Sequence, residues 1–231
     1  MRAHFGLVNC VVTQVLVEVK LFKVRTSYGE VEGIRIGNIE AFLGIPYAEP
    51  PVKTLNFKKP QRPSRWNGTL RAVKYAAPCS QFSLDTAEPA RPAGPDCLYL
   101  NVFGAVRRRG DTGGELKPVL IWFHGGNYAA GSAADYPVAS VASLIGGELA
   151  IVVTFDYRLG FHGFFTVAAA AAAEENFPPN LALHDQIAAL EWVAEEIGAF
   201  GGDPTRVTLA GHGAGAAAVS ILIRSGKIRS M

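Results

Sequence analysis

The stretch from Arg206 to Ser220 limits the possible folds more than any other. Apolar Val207, Leu209 and Ala210 predict the end of a short buried strand, and the small-residue run Ala214 to Val219 predicts the start of a helix. Gly211-His212-Gly213-Ala214-Gly215 must then join them in a sharp turn. The spacing is that of a nucleophile elbow, where two flanking glycines let strand and helix approach while the central residue is held strained at the mouth of a site. The same residues also fit a plain glycine-rich turn or a phosphate loop, although the dinucleotide fingerprint needs its third glycine one place beyond Gly215. A working elbow carries a hydroxyl or thiol at its centre. Here the centre is Gly213, and the expectation is a turn whose geometry is kept and whose chemistry is gone.

With 231 residues, 49% hydrophobic and 18% charged, the chain is long enough for one α/β domain with a large core. Its net charge is +2, and the one tight basic run, Arg107-Arg108-Arg109, precedes Gly110, Asp111 and Gly113-Gly114. That context predicts a solvated loop, and no nucleic-acid partner is expected. Neither a metal-ligand cluster nor a cofactor motif is legible, so no metal and no cofactor is expected.

Of three cysteines, Cys79 and Cys97 enclose a polar, proline-rich loop without metal-ligand company. This favours a disulfide over a zinc site, two free thiols being the bland alternative. Cys10 is left over. A sequon, Asn67-Gly68-Thr69, follows Trp66 in a turn-like segment and makes Asn67 a glycosylation candidate. Both features suit a secretory route. Residues 1–21 make a poor signal segment, interrupted by Asn9, Thr13 and Gln14, and the alternation of Val15, Val17, Val19 and Leu21 with Glu18 and Lys20 also fits an edge strand. No run approaches the ~18 apolar residues of a membrane span.

In chain order, Leu21 to Phe42 predicts a β-meander with turns at Ser27-Tyr28-Gly29 and Gly37-Asn38, followed by a long proline-punctuated loop. Cys97 to Val102 predicts a strand. Pro118 to Phe123 predicts a buried parallel strand delivering His124-Gly125-Gly126 at its carboxyl end, where open α/β sheets bind ligands. A helix-like segment (Ala139 to Leu144), a strand (Leu149 to Phe155), an alanine run (Val167 to Ala173) given no role and a helix (Leu183 to Ile197) precede the elbow strand. The fold expected is α/β, the amino-terminal part of a doubly wound, mostly parallel sheet, incomplete within residues 22–231.

Taken together, several ordered motifs resemble the carboxylesterase/cholinesterase group of α/β-hydrolases, from about Phe22 to Ile223. They are Phe42-Leu43-Gly44-Ile45-Pro46-Tyr47-Ala48, Asn56-Phe57-Lys58-Lys59-Pro60, Asp96-Cys97-Leu98-Tyr99-Leu100-Asn101-Val102, His124-Gly125-Gly126, Tyr157-Arg158-Leu159-Gly160, Asp185-Gln186, Trp192-Val193, Phe200-Gly201-Gly202-Asp203-Pro204 and the elbow. The resemblance implies that the backbone N–H groups of Gly125, Gly126 and Ala214 match the family's oxyanion hole, and that Cys79 and Cys97 match its first disulfide loop. It places Gly213 where the family has its serine and His212 where it usually has Glu. The family's acid and catalytic histidine lie beyond Met231; His124 and His184 are candidates by residue type only, and Ser132 more naturally supports the oxyanion loop. Asn56 and Pro95 stand where the family often has a paired Arg and Glu, and the Cys79–Cys97 loop has no tryptophan for a quaternary ammonium.

Glycine at the nucleophile position is similar to the neuroligins, with gliotactin-like relatives also possible. The resulting expectation is a non-catalytic, secreted or cell-surface ectodomain, not an enzyme, binding a neurexin-like protein partner. Dimerisation would then depend on carboxyl-terminal helices absent here. Two alternatives stay open: a serine ester hydrolase whose nucleophile is misread or lost, and a truncated product without function.

Overall fold

Strands with apolar residues on alternating positions, and two helices each with an apolar stripe, generate one mixed sheet whose central strand is buried on both faces and whose edge strand toward the carboxyl terminus is partly exposed, Val207 included. A computed structural model describes residues 19–36, 38–81, 92–105, 115–138, 140–141, 150–166 and 178–228. The amino-terminal segment with Cys10, the Arg107–Arg109 run, the alanine run and most of the loop between Cys79 and Cys97 lie outside the described residues, as does most of the predicted Ala139–Leu144 helix.

Eight strands form the sheet: β1 (Val19–Arg25), β2 (Glu30–Ile36), β3 (Ile39–Pro46), β4 (Thr69–Arg71), β5 (Tyr99–Ala105), β6 (Lys117–Phe123), β7 (Ile151–Phe155) and β8 (Gly202–Gly211). Their order is β1-β2-β3-β5-β7-β6-β8, with β4 beside β2. The predicted meander is β1 to β3, joined antiparallel. β7, β6 and β8 run parallel. Helices α1 (Gly160–Phe164), α2 (Leu181–Glu196) and α3 (Ala214–Ser225) complete the described elements longer than a single 3-10 turn.

Alternation sorts the strand side chains. Phe42, Val119, Ile121, Phe123, Val153 and Phe155 belong to the larger core with Leu190, Trp192, Val193, Ala218 and Leu222 of α2 and α3. Ala41, Leu43, Phe103 and Val152 point to a smaller core with Val141. Phe42 is seated between Phe22 and Phe200, with ring centroids 4.8 Å from each. Every residue of β7 is buried, as its near-continuous apolar sequence predicts for a strand covered on both faces.

Two boundaries differ from expectation for physical reasons. β8 starts at Gly202 rather than at Val207, because Gly202 pairs with Lys117 and the register shift before Val119 absorbs Pro204, which has no N–H for a ladder. Helix α2 starts two residues earlier than expected, from left-handed Asn180 (φ 56°), and continues as a 3-10 turn over Ile197–Phe200. The chain therefore passes through Gly198 and turns at Gly201, whose φ of 85° suits glycine.

One buried ion pair ties the loops at the carboxyl ends of the strands to α2. Arg158 donates from Nε (2.7 Å) and Nη2 (2.6 Å) to the two carboxylate oxygens of Asp185, and from Nη1 (2.9 Å) to the carbonyl of Lys58. The Arg158 backbone N–H donates to Asp185 as well, at 3.1 Å. Both residues are almost wholly buried. Burial pushes the Asp185 carboxyl above its usual range although the guanidinium pulls it down. Such a pair adds little net stability, but removing one partner strands the other charge in the interior. Asp185→Ala is expected to lower stability by about 3–5 kcal/mol, and adding Arg158→Met to that variant should recover part of the loss. Chemical denaturation of the single and double variants measures both.

Candidate functional site

The site forms where β6 and β8 end side by side, Phe123 pairing with Gly211. Beyond β8 the chain makes the elbow: Gly213 takes φ 56° and ψ −119°, a region that L side chains rarely adopt, and α3 begins at Ala214. The flanking glycines are imposed by space. A Cβ on Gly215 would lie 2.2 Å from the Phe123 carbonyl oxygen, and one on Gly211 would lie 2.7 Å from the Gly215 carbonyl carbon. Gly213 differs, because a Cβ there would meet no atom within 4 Å apart from its immediate chain neighbours. Its backbone is strained, yet the fold leaves open room for a side chain.

Beyond β6 the chain makes a second tight turn. Gly126 (φ 111°) brings its Cα against the Ala130 carbonyl, where a Cβ would lie 1.9 Å from the oxygen. Ala129 and Ala130 both donate to the Gly126 carbonyl at 3.0 Å. Asn127 (φ 53°) and Tyr128 (φ 60°) are left-handed without being glycines, and the Tyr128 carbonyl accepts from Gly160 at 2.7 Å. The two turns touch: a Cβ on Gly125 would lie 2.9 Å from both the His212 carbonyl oxygen and its Nδ1, and His212 N–H donates to the Phe123 carbonyl at 3.3 Å. Among the described residues, the N–H groups of Gly125, Gly126 and Ala214 donate to no acceptor. The structure sets Gly125 against His212, the residue before Gly213, and Gly126 follows Gly125 in the same turn.

His124 lies beneath this surface. It is buried, stacks on Tyr157 with centroids 4.3 Å apart, and its Nδ1 contacts the Gly125 carbonyl at 2.8 Å. Its Nε2 has no hydrogen-bond partner and lies 3.9 Å from Asp156 Oδ1. The Tyr157 hydroxyl donates to the His124 carbonyl at 2.7 Å. Burial pushes the imidazole pKa down to about 4, so it stays neutral and structural. His184, the other candidate by type, sits half-buried on α2 with its pKa lowered by burial and by Lys59. Ser132 caps the short turn after the glycines, its hydroxyl accepting from Ala134 N–H at 3.0 Å. His212 and Ser220 are exposed.

Cys79 and Cys97 form the disulfide expected of them, with Cα atoms 4.8 Å apart. Asn56 and Pro95, the substituted pair positions, line one small pocket with both half-cystines and Arg158. Gln81 is a residue that sequence reasoning missed: its side-chain oxygen accepts from Gly131 N–H (2.9 Å), and its Nε2 donates to the carbonyls of Gly131 (3.1 Å) and Cys79 (3.2 Å). It fastens the disulfide to the glycine turn, and its only signal in sequence was a polar residue two places after Cys79. No metal-ligating cluster occurs among the described residues.

The profile of the Carboxylesterase family matches residues 20–230. The chain is 42% identical over 202 residues to gut esterase 1 of Caenorhabditis briggsae, covering 87% of this chain and 34% of that protein. It is 40% identical over 204 residues to para-nitrobenzyl esterase of Bacillus subtilis, covering 87% of this chain and 40% of the relative. A solved PNB esterase superposes with a TM-score of 0.74 at 39% identity, over 87% of this chain and 40% of that one. The fold is thus the α/β-hydrolase fold, and the chain spans well under half the length of these relatives. They overturn the expectation, drawn from Gly213 and from the absence of the family's acid and histidine regions, that the protein is not an enzyme: the relatives are named as esterases, which points to a hydrolase. None of these named relatives is a neuroligin or an adhesion protein.

Two outcomes are expected of the site's physics. Gly126→Ala should destabilise by about 3–5 kcal/mol, whereas Gly213→Ala, strained but unobstructed, should lose about 1–2 kcal/mol in thermal or denaturant unfolding. The unfolded chain takes a proton on His124 near pH 6.5 that the folded ring refuses until about pH 4. The unfolded state therefore holds more protons in that window, and stability should fall by up to about 3 kcal/mol as pH drops from 6.5 to 4. His124→Asn should flatten that slope.

Proposed function

The chain belongs to the carboxylesterase family, and from that premise we propose that the protein is a carboxylic ester hydrolase. The observation that carries the reading is the elbow: Gly213 keeps a strained backbone under open space, and the N–H groups of Gly125, Gly126 and Ala214 donate to no acceptor among the described residues. Those donors suit the oxygen of an ester carbonyl as it gains negative charge, and they are fixed before substrate arrives, which is when such donors are worth most.

Gly213 has no oxygen of its own. In this reading a water in the open space above it attacks the carbonyl carbon; the carbonyl electrons move onto the oxygen held by the three N–H groups; collapse expels the alcohol, which leaves with a proton originating from the water. The donors stabilise the tetrahedral species in the same way whether the attacking oxygen belongs to water or to a side chain.

The test is hydrolysis of para-nitrophenyl acetate by the folded protein produced from its own transcript. Turnover above a heat-denatured control supports the reading, and Gly213→Ser, whose hydroxyl would find no base close to it among the described residues, should change kcat by less than about 10-fold. A folded native protein that does not turn over the ester overturns the reading, whatever Gly213→Ser does.

A further inference from the structure

Asn67 belongs neither to the elbow nor to the turn that follows β6. It is exposed, on the turn that leads into β4, and Gly68 after it takes φ 79° with no atom within 4 Å of a Cβ. Both sides of the turn are anchored. Trp66 donates from Nε1 to the Glu30 carbonyl (2.9 Å) and from its backbone N–H to the Tyr28 carbonyl (3.1 Å), and its ring stacks on Tyr28 at 5.9 Å and 19°. Thr69 pairs with Glu30 in the sheet and donates its hydroxyl to the Glu30 carboxylate. The amide of Asn67 is therefore presented to solvent on a short turn held at each end, with open space around its tip.

A second observation bears on the compartment. The Cys79–Cys97 bond closes a loop of separation 18 at ordinary Cα spacing, and such bonds persist in oxidising compartments. In eukaryotes the same route carries the machinery that modifies Asn-x-Thr.

We propose that Asn67 bears an N-linked glycan. The side-chain amide nitrogen bonds to the anomeric carbon of a lipid-pyrophosphate oligosaccharide; the sugar–phosphate bond breaks, the lipid pyrophosphate leaves and the amide proton passes to solvent. The Thr69 hydroxyl serves the acceptor only while it is free. In the folded chain it is committed to Glu30, so the modification precedes the docking of β4 on β2. The finished glycan then stands over open surface and displaces no side chain.

The experiment is secretion of the full chain from a eukaryotic host, followed by trypsin and an amidase that removes N-glycans. Cleavage after Arg65 and Arg71 isolates residues 66–71 as one peptide. The expected result is a mobility shift on deglycosylation and Asp in place of Asn at position 67 of that peptide. Asn67→Gln and Thr69→Ala should each abolish the shift, and Thr69→Ser should retain it. An unmodified Asn67 in secreted protein whose Cys79–Cys97 bond is closed overturns the proposal. So does a mobility shift that survives Asn67→Gln.

Discussion

Arg158 and Asp185 hold together parts of the molecule that the sheet alone does not join. The guanidinium reaches α2 through the Asp185 carboxylate and the long amino-terminal loop through the Lys58 carbonyl, and Arg158 itself follows the end of β7. Tyr157, one residue earlier, is thereby fixed beneath the His124 carbonyl, and Gly160, two residues later, is fixed against the Tyr128 carbonyl. Both contacts brace the turn that carries Gly125 and Gly126. A buried charge pair is an expensive way to gain stability. It is an effective way to set position, because neither charge can move without leaving its partner unpaired in the interior.

The glycines of the site divide by cause. Gly126, Gly131, Gly211 and Gly215 are demanded by neighbouring backbone, since a Cβ on any of them would meet another chain segment at 2.7 Å or less. Gly213 is demanded by nothing nearby. Its backbone angle disfavours a side chain, but every elbow of this type tolerates that strain at its centre. Glycine at 213 is therefore a chemical difference that the surrounding backbone does not require, within a chain whose residues 20–230 match the family.

Much of this was legible in sequence. The elbow, the meander, the buried strand before His124 and the pairing of Cys79 with Cys97 all follow from apolar periodicity, glycine placement and family motifs. The early start of β8 was hidden, because Gly202, Asp203 and Pro204 are turn formers and only the neighbouring strand's register shift admits them. Gln81 was hidden because its partners, Gly131 and Cys79, are backbone carbonyls and an N–H that no side-chain pattern announces. The function was harder to read: the absence of a hydroxyl at Gly213 and of the family's acid and histidine regions spoke against an enzyme, whereas likeness to named esterases points to a hydrolase.

The strand order has a consequence for the timing of assembly. β6 is synthesised before β7, yet its other neighbour is β8, and the elbow becomes part of the site only when Gly211 settles beside Phe123. Gly125 and Gly126 can take up their turn with β5, β6 and β7 in place, while Ala214 joins them with the last described strand. Pairings between segments so distant in sequence form slowly, because loop closure must precede the contacts that reward it. On a ribosome, a nascent chain would thus hold the Gly125–Gly126 turn for some time before the Ala214 N–H is set beside it.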